Sequence, residues 1–376
     1  MAFAFPAAPP PHVRLLLRAL LEPQESLPKD RRGWDHLIRT ARRSRLLGVL
    51  SARIAATHGL DRFDEVARRQ LIAGQVESSF RRQKTAYLLS SIEPLLEASK
   101  TPSILLKGSA YFAQHLAFAE GRMPADVDVM VPHVALDEIE HALLRSGWSF
   151  EKNDPYDQRF YRAWSHELPP MRCAGQALEL DLHHTILPPL GRLKPNDSEL
   201  FAAAIPLKGS HFSVLCHEDQ VLLAAAHLFH DSDCTERLRD LVDIDGLLRA
   251  FGSNERFWPT LIERARIHNL TRPLWYALAF ASAWMSTPIL PSTFESLERF
   301  RPNKLSTALW MTFMGWTLPP VNPDGEPRST LASRILEGRA TWLRVPPDIL
   351  ALHVGHKAWR GFSSAFKRGN TEATSS

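Results

Sequence analysis

Cysteine is scarce: the 376 residues hold three, Cys173, Cys216 and Cys234, an odd number at wide spacing. That excludes a disulfide framework or a Cys-x-x-Cys zinc site and fits a reducing, cytoplasmic setting. An excess of one charge is also missing. The 45 basic and 41 acidic residues leave a net charge of +4, too mild to draw the whole chain onto nucleic acid. No basic segment precedes the apolar part of MAFAFPAAPPPHVRLLLRALLE, and its prolines break a signal-peptide helix, so export is not expected. A long apolar run is lacking too. No formal charge falls between Arg272 and Glu295, but the dense apolar part runs only from Leu274 to Met285, with Pro288 and Pro291 after it. That is the pattern of a buried helix rather than a membrane span. Internal repeats and low-complexity tracts are absent as well.

What is present is an apolar fraction of 44%, enough for one large core or two to three modest ones. Periodicity divides the chain. From Trp34 to Ala55, apolar residues recur at helical spacing with Arg opposite, predicting an amphipathic helix pair, and residues 71–99 predict a further long helix. The first hundred residues therefore read as helical. The period then changes: SILLKG is a short apolar run ended by Gly108, and VDVMVP alternates before stopping at Pro132. These are two strands, and Ala177 to Ile186 alternates as a third. SAYFAQHLAF between the first two predicts a helix of about ten residues, and ALDEIEHALLRSGW predicts another that stops at Gly147. From Glu218 the helical period returns in EDQVLLAAAHLFHD, RLRDLVDIDGLLRAF and FWPTLIERARIHNL. The expected fold is α+β: a small mixed β-sheet core over residues 101–190, an N-terminal helical region over 1–100, and a mostly helical C-terminal domain over 191–366. The tail 367–376, with a single Ala as its apolar content, is expected to be disordered.

Side chains alternate across a strand, so Asp126 and Asp128 in ADVDVMV share one face while Val127, Val129 and Val131 take the other. Two unpaired carboxylates side by side on a strand flanked by apolar residues repel each other, so the arrangement makes sense around a cation. Oxygen ligands of this kind suit Mg²⁺ or Mn²⁺. Asp181 in LELDLHH lies on another alternating strand and could complete a carboxylate triad, although Glu179 shares its face. With two ions about 4 Å apart, such a triad would activate an acceptor oxygen and neutralise phosphate charge. Gly108-Ser109, where a strand gives way to a helix, offers backbone N–H groups to a phosphate, and Lys107 could add charge. Arg122 stands in the connection entering the Asp126 strand, where a guanidinium could brace phosphate or pair with a carboxylate.

The stretch LLKGSAYFAQHLAFAEGRMPADVDVMV resembles the bacterial uncharacterised nucleotidyltransferase family, whose pattern is a Lys-Gly strand end followed by Arg-x-x-x-Asp-x-Asp. The similarity runs from Trp34 through ELDLHH and Ala226-His227 to RLRDLVDIDGLLRA, ending near residue 300. It implies a DNA polymerase β-like nucleotidyltransferase fold and Mg²⁺-dependent transfer of a nucleotidyl group, with Lys107, Gly108, Asp126, Asp128 and Asp181 at the site. Met123-Pro124-Ala125 replaces the family's commoner Pro-Met-Gly or Pro-Met-Ser, and Asp240 stands where an aromatic is usual; both leave the carboxylates intact.

Other polar residues carry competing readings. His183 could orient Asp181 or touch nucleotide, whereas His184 reads as structural. His227, His230 and Asp231 have part of a zinc-site spacing without an evident fourth ligand, leaving His227 a substrate-side candidate. Arg237, Arg239 and Asp243 either lock the helical domain or reach the triphosphate, locking being preferred. The Arg31-Arg32, Arg42-Arg43-Arg45 and Arg81-Arg82-Lys84 clusters read as solvated helix faces rather than an RNA grip, since no surface aromatics interleave them. The leading expectation is transfer of a nucleoside monophosphate from an NTP, ATP foremost, to an unknown hydroxyl acceptor in a protein, small molecule or saccharide precursor. The alternatives are a nucleotide-binding or scaffold protein without efficient catalysis and an RNA-tailing enzyme. Alanine at Asp126 or Asp128 is expected to abolish turnover and leave unfolding nearly unchanged or improved.

Overall fold

The computed structural model describes residues 6–344 except 62, 152–153 and 326–329, together with residue 346; the side chains of His58, Asp157 and Asp231 and the tail from residue 367 fall outside the described residues. Four helices open the chain: α1 (Pro11–Leu21), α2 (Arg31–Arg43), α3 (Leu47–His58) and α4 (Glu65–Ala98). Capping fixes two of their starts. Asp30 accepts from the Gly33 N–H at 2.8 Å and Asp64 from the Val66 N–H at 3.2 Å, satisfying amides that the helix cannot. The apolar stripes then do the packing: Leu37, Ile38 and Ala41 of α2 and Leu47, Leu50 and Ile54 of α3 are buried.

Seven strands form one mixed sheet in the order β3-β4-β5-β2-β1-β7-β6. They are β1 (Ser103–Leu105), β2 (Asp126–Met130), β3 (Trp148–Phe150), β4 (Met171–Cys173), β5 (Glu179–His183), β6 (Ile205–Pro206) and β7 (Phe212–Val214). The three expected strands are its centre, β1, β2 and β5. The other four are two or three residues long, too short to show a period, and β6 and β7 extend the sheet past residue 190. In the middle, β2 runs antiparallel to β1 and parallel to β5. The chain makes the parallel pairing through a crossover holding α6 (Leu136–Arg145) and α7 (Pro155–Trp164). Val127, Val129, Leu180 and Leu182 are all buried, and α4 packs against β2 and α6.

Between β1 and β2 lies α5 (Lys107–Ala113), shorter than the expected ten-residue helix. His115 turns left-handed at φ 54°, which stops the helix, and a single 3-10 turn at Ala117–Ala119 follows. After the short α8 (Asp197–Ala202) and the two edge strands, the chain is helical: α9 (His217–Ala226), α10 (Leu238–Phe251), α11 (Phe257–Ile267), α12 (Thr271–Met285), α13 (Pro291–Leu297), α14 (Lys304–Thr317) and α15 (Thr330–Arg344). The uncharged stretch forms α12, packed among α1, α9, α10 and α11 with Leu274, Trp275, Leu278, Phe280 and Met285 buried. Each such side chain contributes roughly 1.5–3 kcal/mol. Among the described residues no helix is long and apolar enough to cross a membrane.

Two close approaches seat the helical flanks on the sheet. Gly48 of α3 meets Gly121 in the connection into β2 so closely that a Cβ on Gly48 would lie 2.3 Å from the Gly121 carbonyl oxygen, and one on Gly121 2.2 Å from that of Gly48. On the other side α10 packs against the Ala117–Ala119 turn. The segment from residue 117 to residue 125 is thus held between the N-terminal and C-terminal helices, and both flanks reach the entrance of β2.

Candidate active site

The parallel register of β2 and β5 pairs Asp126 with Glu179, Asp128 with Asp181 and Met130 with His183. Paired residues on adjacent strands project to the same face, so Asp126, Asp128, Asp181 and His183 form one polar patch over an apolar underside. Glu179 is occupied by an ion pair with Arg172. Asp181 is not: its Oδ1 is buried without a hydrogen bond, and among the described residues Asp126 makes no ion pair. The structure thus separates the two acids on β5 that the sequence left open.

The charges are unevenly compensated. Burial, and after it the charges of Asp128, Glu167 and Asp126, push the Asp181 carboxyl up to about 9. Burial and the Asp128 charge also raise Asp126. Asp128 moves the other way. Burial opposes its charge, but Lys107 and His183 outweigh that cost and hold the carboxyl well below the usual range. Lys107 Nζ donates to Asp128 Oδ1 at 2.7 Å, and His183 Nε2 lies 3.0 Å from the same oxygen. Lys107 itself sits at φ 46°, a left-handed backbone at the start of α5 that a lysine rarely adopts.

Behind Lys107, Gly108 has a steric duty. A Cβ there would lie 2.1 Å from Arg122 Nη1, so the absent side chain makes room for a guanidinium. Arg122 is buried and committed to Asp243 of α10, with Nε and Nη2 each 2.9 Å from Oδ2, and its guanidinium stands 5.5 Å from the Tyr111 ring. Of the two roles open to Arg122, the structure shows the carboxylate pair. Ser109 is fully buried in α5 with its hydroxyl unbonded.

Asp126 and Asp128 open onto a cavity of about 430 Å³. Lys107, Gly108, Tyr111 and Arg122 border it on the sheet side; Arg43 and Arg45 from the end of α2, His227, and Arg237, Arg239, Asp240 and Asp243 at the start of α10 close the opposite side. Asp181, His183 and Ser109 lie outside its wall. The guanidiniums differ in commitment: Arg43 pairs with Glu236 at 2.9 Å and Arg237 with Asp240 at 2.5 Å. Arg239 is half-buried, its Nε and Nη1 inaccessible and without hydrogen bonds, and Asp240 Oδ1 lies 3.6 Å from Nε. Burial, with Arg122 close by, lowers its affinity for a proton. His227 stands beside Asp240 on a π-helical turn, His227–Asp231, a backbone form that often marks functional sites.

Two sets of residues escaped the sequence. Arg43 and Arg45 read there as part of a solvated helix face, yet the turn after α2 carries them to the cavity. His166 and Glu167 carried no signal, because the segment before β4 has no period; the structure bridges Glu167 to His183 across the outer side of β5.

No curated protein and no solved structure matches the chain. A match of the kind the carboxylate pattern suggested does exist, and it spans α2 to just past α12, covering the sheet, both cavity walls and every residue of the patch. Over residues 30–286 the chain matches the family described as uncharacterised nucleotidyltransferase, and it belongs to that family.

Proposed function

We propose that the chain moves a nucleoside monophosphate from an NTP, ATP foremost, to a hydroxyl of a protein, small molecule or saccharide precursor, with Mg²⁺ or Mn²⁺ held by Asp126, Asp128 and Asp181. The observation that carries the reading is the cavity itself, whose lining joins the Asp126 and Asp128 carboxylates to Arg239, with its Nε and Nη1 buried and without hydrogen bonds. The donor set fits a hard cation: all oxygen, on rigid strands, with the Asp181 Oδ1 unbonded and two of three carboxyls shifted up by burial and by the neighbouring carboxylates. When bound there, such a cation supplies neutralisation of charge on the α-phosphate and the leaving pyrophosphate.

The chain's own residues divide the remaining work. Arg239, already desolvated, gives its N–H groups to phosphate oxygens at little further cost, with Arg45 beside it. Lys107 keeps Asp128 charged and in place. Arg122 fixes α10, and with it Arg239, at a set distance from β2 by gripping Asp243. Asp181, behind the cavity wall, is the acid placed for an acceptor approaching over β5; it holds its proton at neutral pH, would release it to solvent when positive charge arrives beside it, and could then take the acceptor's proton.

The test is incubation of wild type and the Asp126→Ala/Asp128→Ala double variant with α-labelled ATP, GTP, CTP or UTP, Mg²⁺ or Mn²⁺, and a lysate lacking the protein. Label transferred only by wild type supports the reading and reveals nucleotide and acceptor together. Nucleotide binding without transfer by wild type would leave a non-catalytic binding protein.

A further inference from the structure

Beside the carboxylate patch, outside the cavity, His166, Glu167 and His183 bring one ligand atom each within 4.8 Å of one another. Glu167 Oε2 lies 3.3 Å from His183 Nε2 and 3.7 Å from His166 Nε2. Asp128 Oδ1 approaches the same His183 nitrogen at 3.0 Å. Lys107 already donates to Asp128 Oδ1, and the one Nε2–H of His183 cannot serve that oxygen and Glu167 Oε2 at once, while Glu167 also draws in His166, so a proton alone explains this convergence poorly. A metal ion explains it well. Ligand atoms about 2.0–2.1 Å from a tetrahedral ion stand about 3.3–3.4 Å apart, close to the separations observed.

We propose that His166, Glu167 and His183 bind a divalent transition-metal ion, with Asp128 as the neighbouring oxygen. The donor set decides the class of ion. Two imidazoles with a carboxylate suit Zn²⁺, Co²⁺ or Fe²⁺, whereas Mg²⁺ takes oxygen ligands and gives up its water reluctantly. The backbone prearranges the site: Glu167 and His183 are bridged partners, Leu168 N–H donates to the Leu182 carbonyl and His184 N–H to the His166 carbonyl. His183 is 1% exposed, while the side chains of His166 and Glu167 are 13% and 21% exposed, which leaves an ion a way in. The site needs none of Asp126, Asp181 or the cavity, and its one link to the hard-cation reading is Asp128, which borders both.

The experiment uses the full chain, stripped of metal and titrated with Co²⁺ in the presence of millimolar Mg²⁺, following the visible d–d bands and the bound-metal stoichiometry. Wild type is expected to take up one Co²⁺ with the intense bands of a low-coordinate nitrogen-oxygen site. His166→Ala and Glu167→Gln, both partly exposed, should each weaken uptake by more than about tenfold. Asp126→Ala, which removes a hard-cation ligand, should leave it intact. Absence of Co²⁺ uptake by wild type, or uptake that neither His166→Ala nor Glu167→Gln reduces, overturns the proposal. Uptake lost only in Asp126→Ala would assign the ion to the carboxylates and overturn it as well. Nucleotidyl transfer is read separately, so its failure leaves this result untouched.

Discussion

Asp126 and Asp128 look equivalent in ADVDVMV, and their surroundings make them opposites. Asp126 is a half-buried carboxylate without an ion pair among the described residues, raised by desolvation and by the Asp128 charge, so Asp126→Ala should leave the melting temperature unchanged or raise it. Asp128 holds the charge of Lys107, whose side chain is 22% exposed, so Asp128→Ala should cost about 3 kcal/mol by leaving that ammonium unpaired. Urea unfolding of the two variants separates them, and equal midpoints would contradict the ion pair. The sequence predicted unchanged or improved unfolding for both substitutions; the Lys107 pair changes that expectation for Asp128, because alternation reveals which face a residue takes and not what waits there. Asp181 adds a pH signature. Its carboxyl is raised in the fold, so between about pH 4 and about pH 9 the folded state binds a proton the unfolded state has released, and stability falls as pH rises through that window. Asp181→Asn should remove this fall and be more stable than wild type at pH 8, by on the order of 1–3 kcal/mol, with the difference gone near pH 4. A constant gap between the two from pH 4 to pH 8 would show that Asp181 does not titrate this way. The preference for Asp181 over Glu179 came from the family pattern; the Arg172 that occupies Glu179 lies seven residues away on another strand, where no strand period reveals it.

At the scale of elements, β2 and β5, which carry the patch, were legible because polar and apolar residues alternate along them, and β1 because a short apolar run stops at Gly108. The four edge strands were not, being shorter than one and a half periods, and β3 and β4 bring with them the segment that places Glu167 beside His183. The N-terminal and C-terminal helices were legible as helices, yet nothing in their periodicity says that α2 and α10 meet across a cavity. That meeting depends on the Gly48 and Gly121 contact and on Arg122 with Asp243. Gly121 stands at φ 78°, so Gly121→Ala combines a left-handed alanine, worth about 1–2 kcal/mol, with a clash against α3 backbone. A loss of at least about 2 kcal/mol in thermal unfolding is expected, with weakened nucleotide binding as the flank shifts. An alanine that binds nucleotide as wild type does would show that α3 does not set the position of the arginines.

For the molecule as a whole, the cavity is a charge imbalance held open between two layers: carboxylates on strands on one side, guanidiniums on helices on the other. A nucleoside triphosphate with its cation satisfies both walls and should stabilise the fold, by about 2.7 kcal/mol at a hundred times its Kd. Arg239→Ala should weaken that binding about ten- to a hundredfold, while stability without nucleotide changes little, since Arg239 makes only a loose ion pair with Asp240, which Arg237 also holds. Calorimetric titration with a non-hydrolysable ATP analogue and Mg²⁺ checks this; unchanged affinity would remove Arg239 from the phosphate site. The pairing of Asp128 with Asp181 has a different kind of consequence. Their proximity is written in the main-chain ladder between β2 and β5, so side-chain changes nearby cannot easily undo it, but the loss or gain of a single residue within either strand would turn a whole row of side chains to the opposite face. The stretch between the strands is under no such constraint on its length. Insertions or deletions there leave Asp128 and Asp181 side by side wherever they spare α6, β3, β4 and the bridge from Glu167 to His183, so a change of length between the strands is expected to alter what surrounds the patch and not the patch itself.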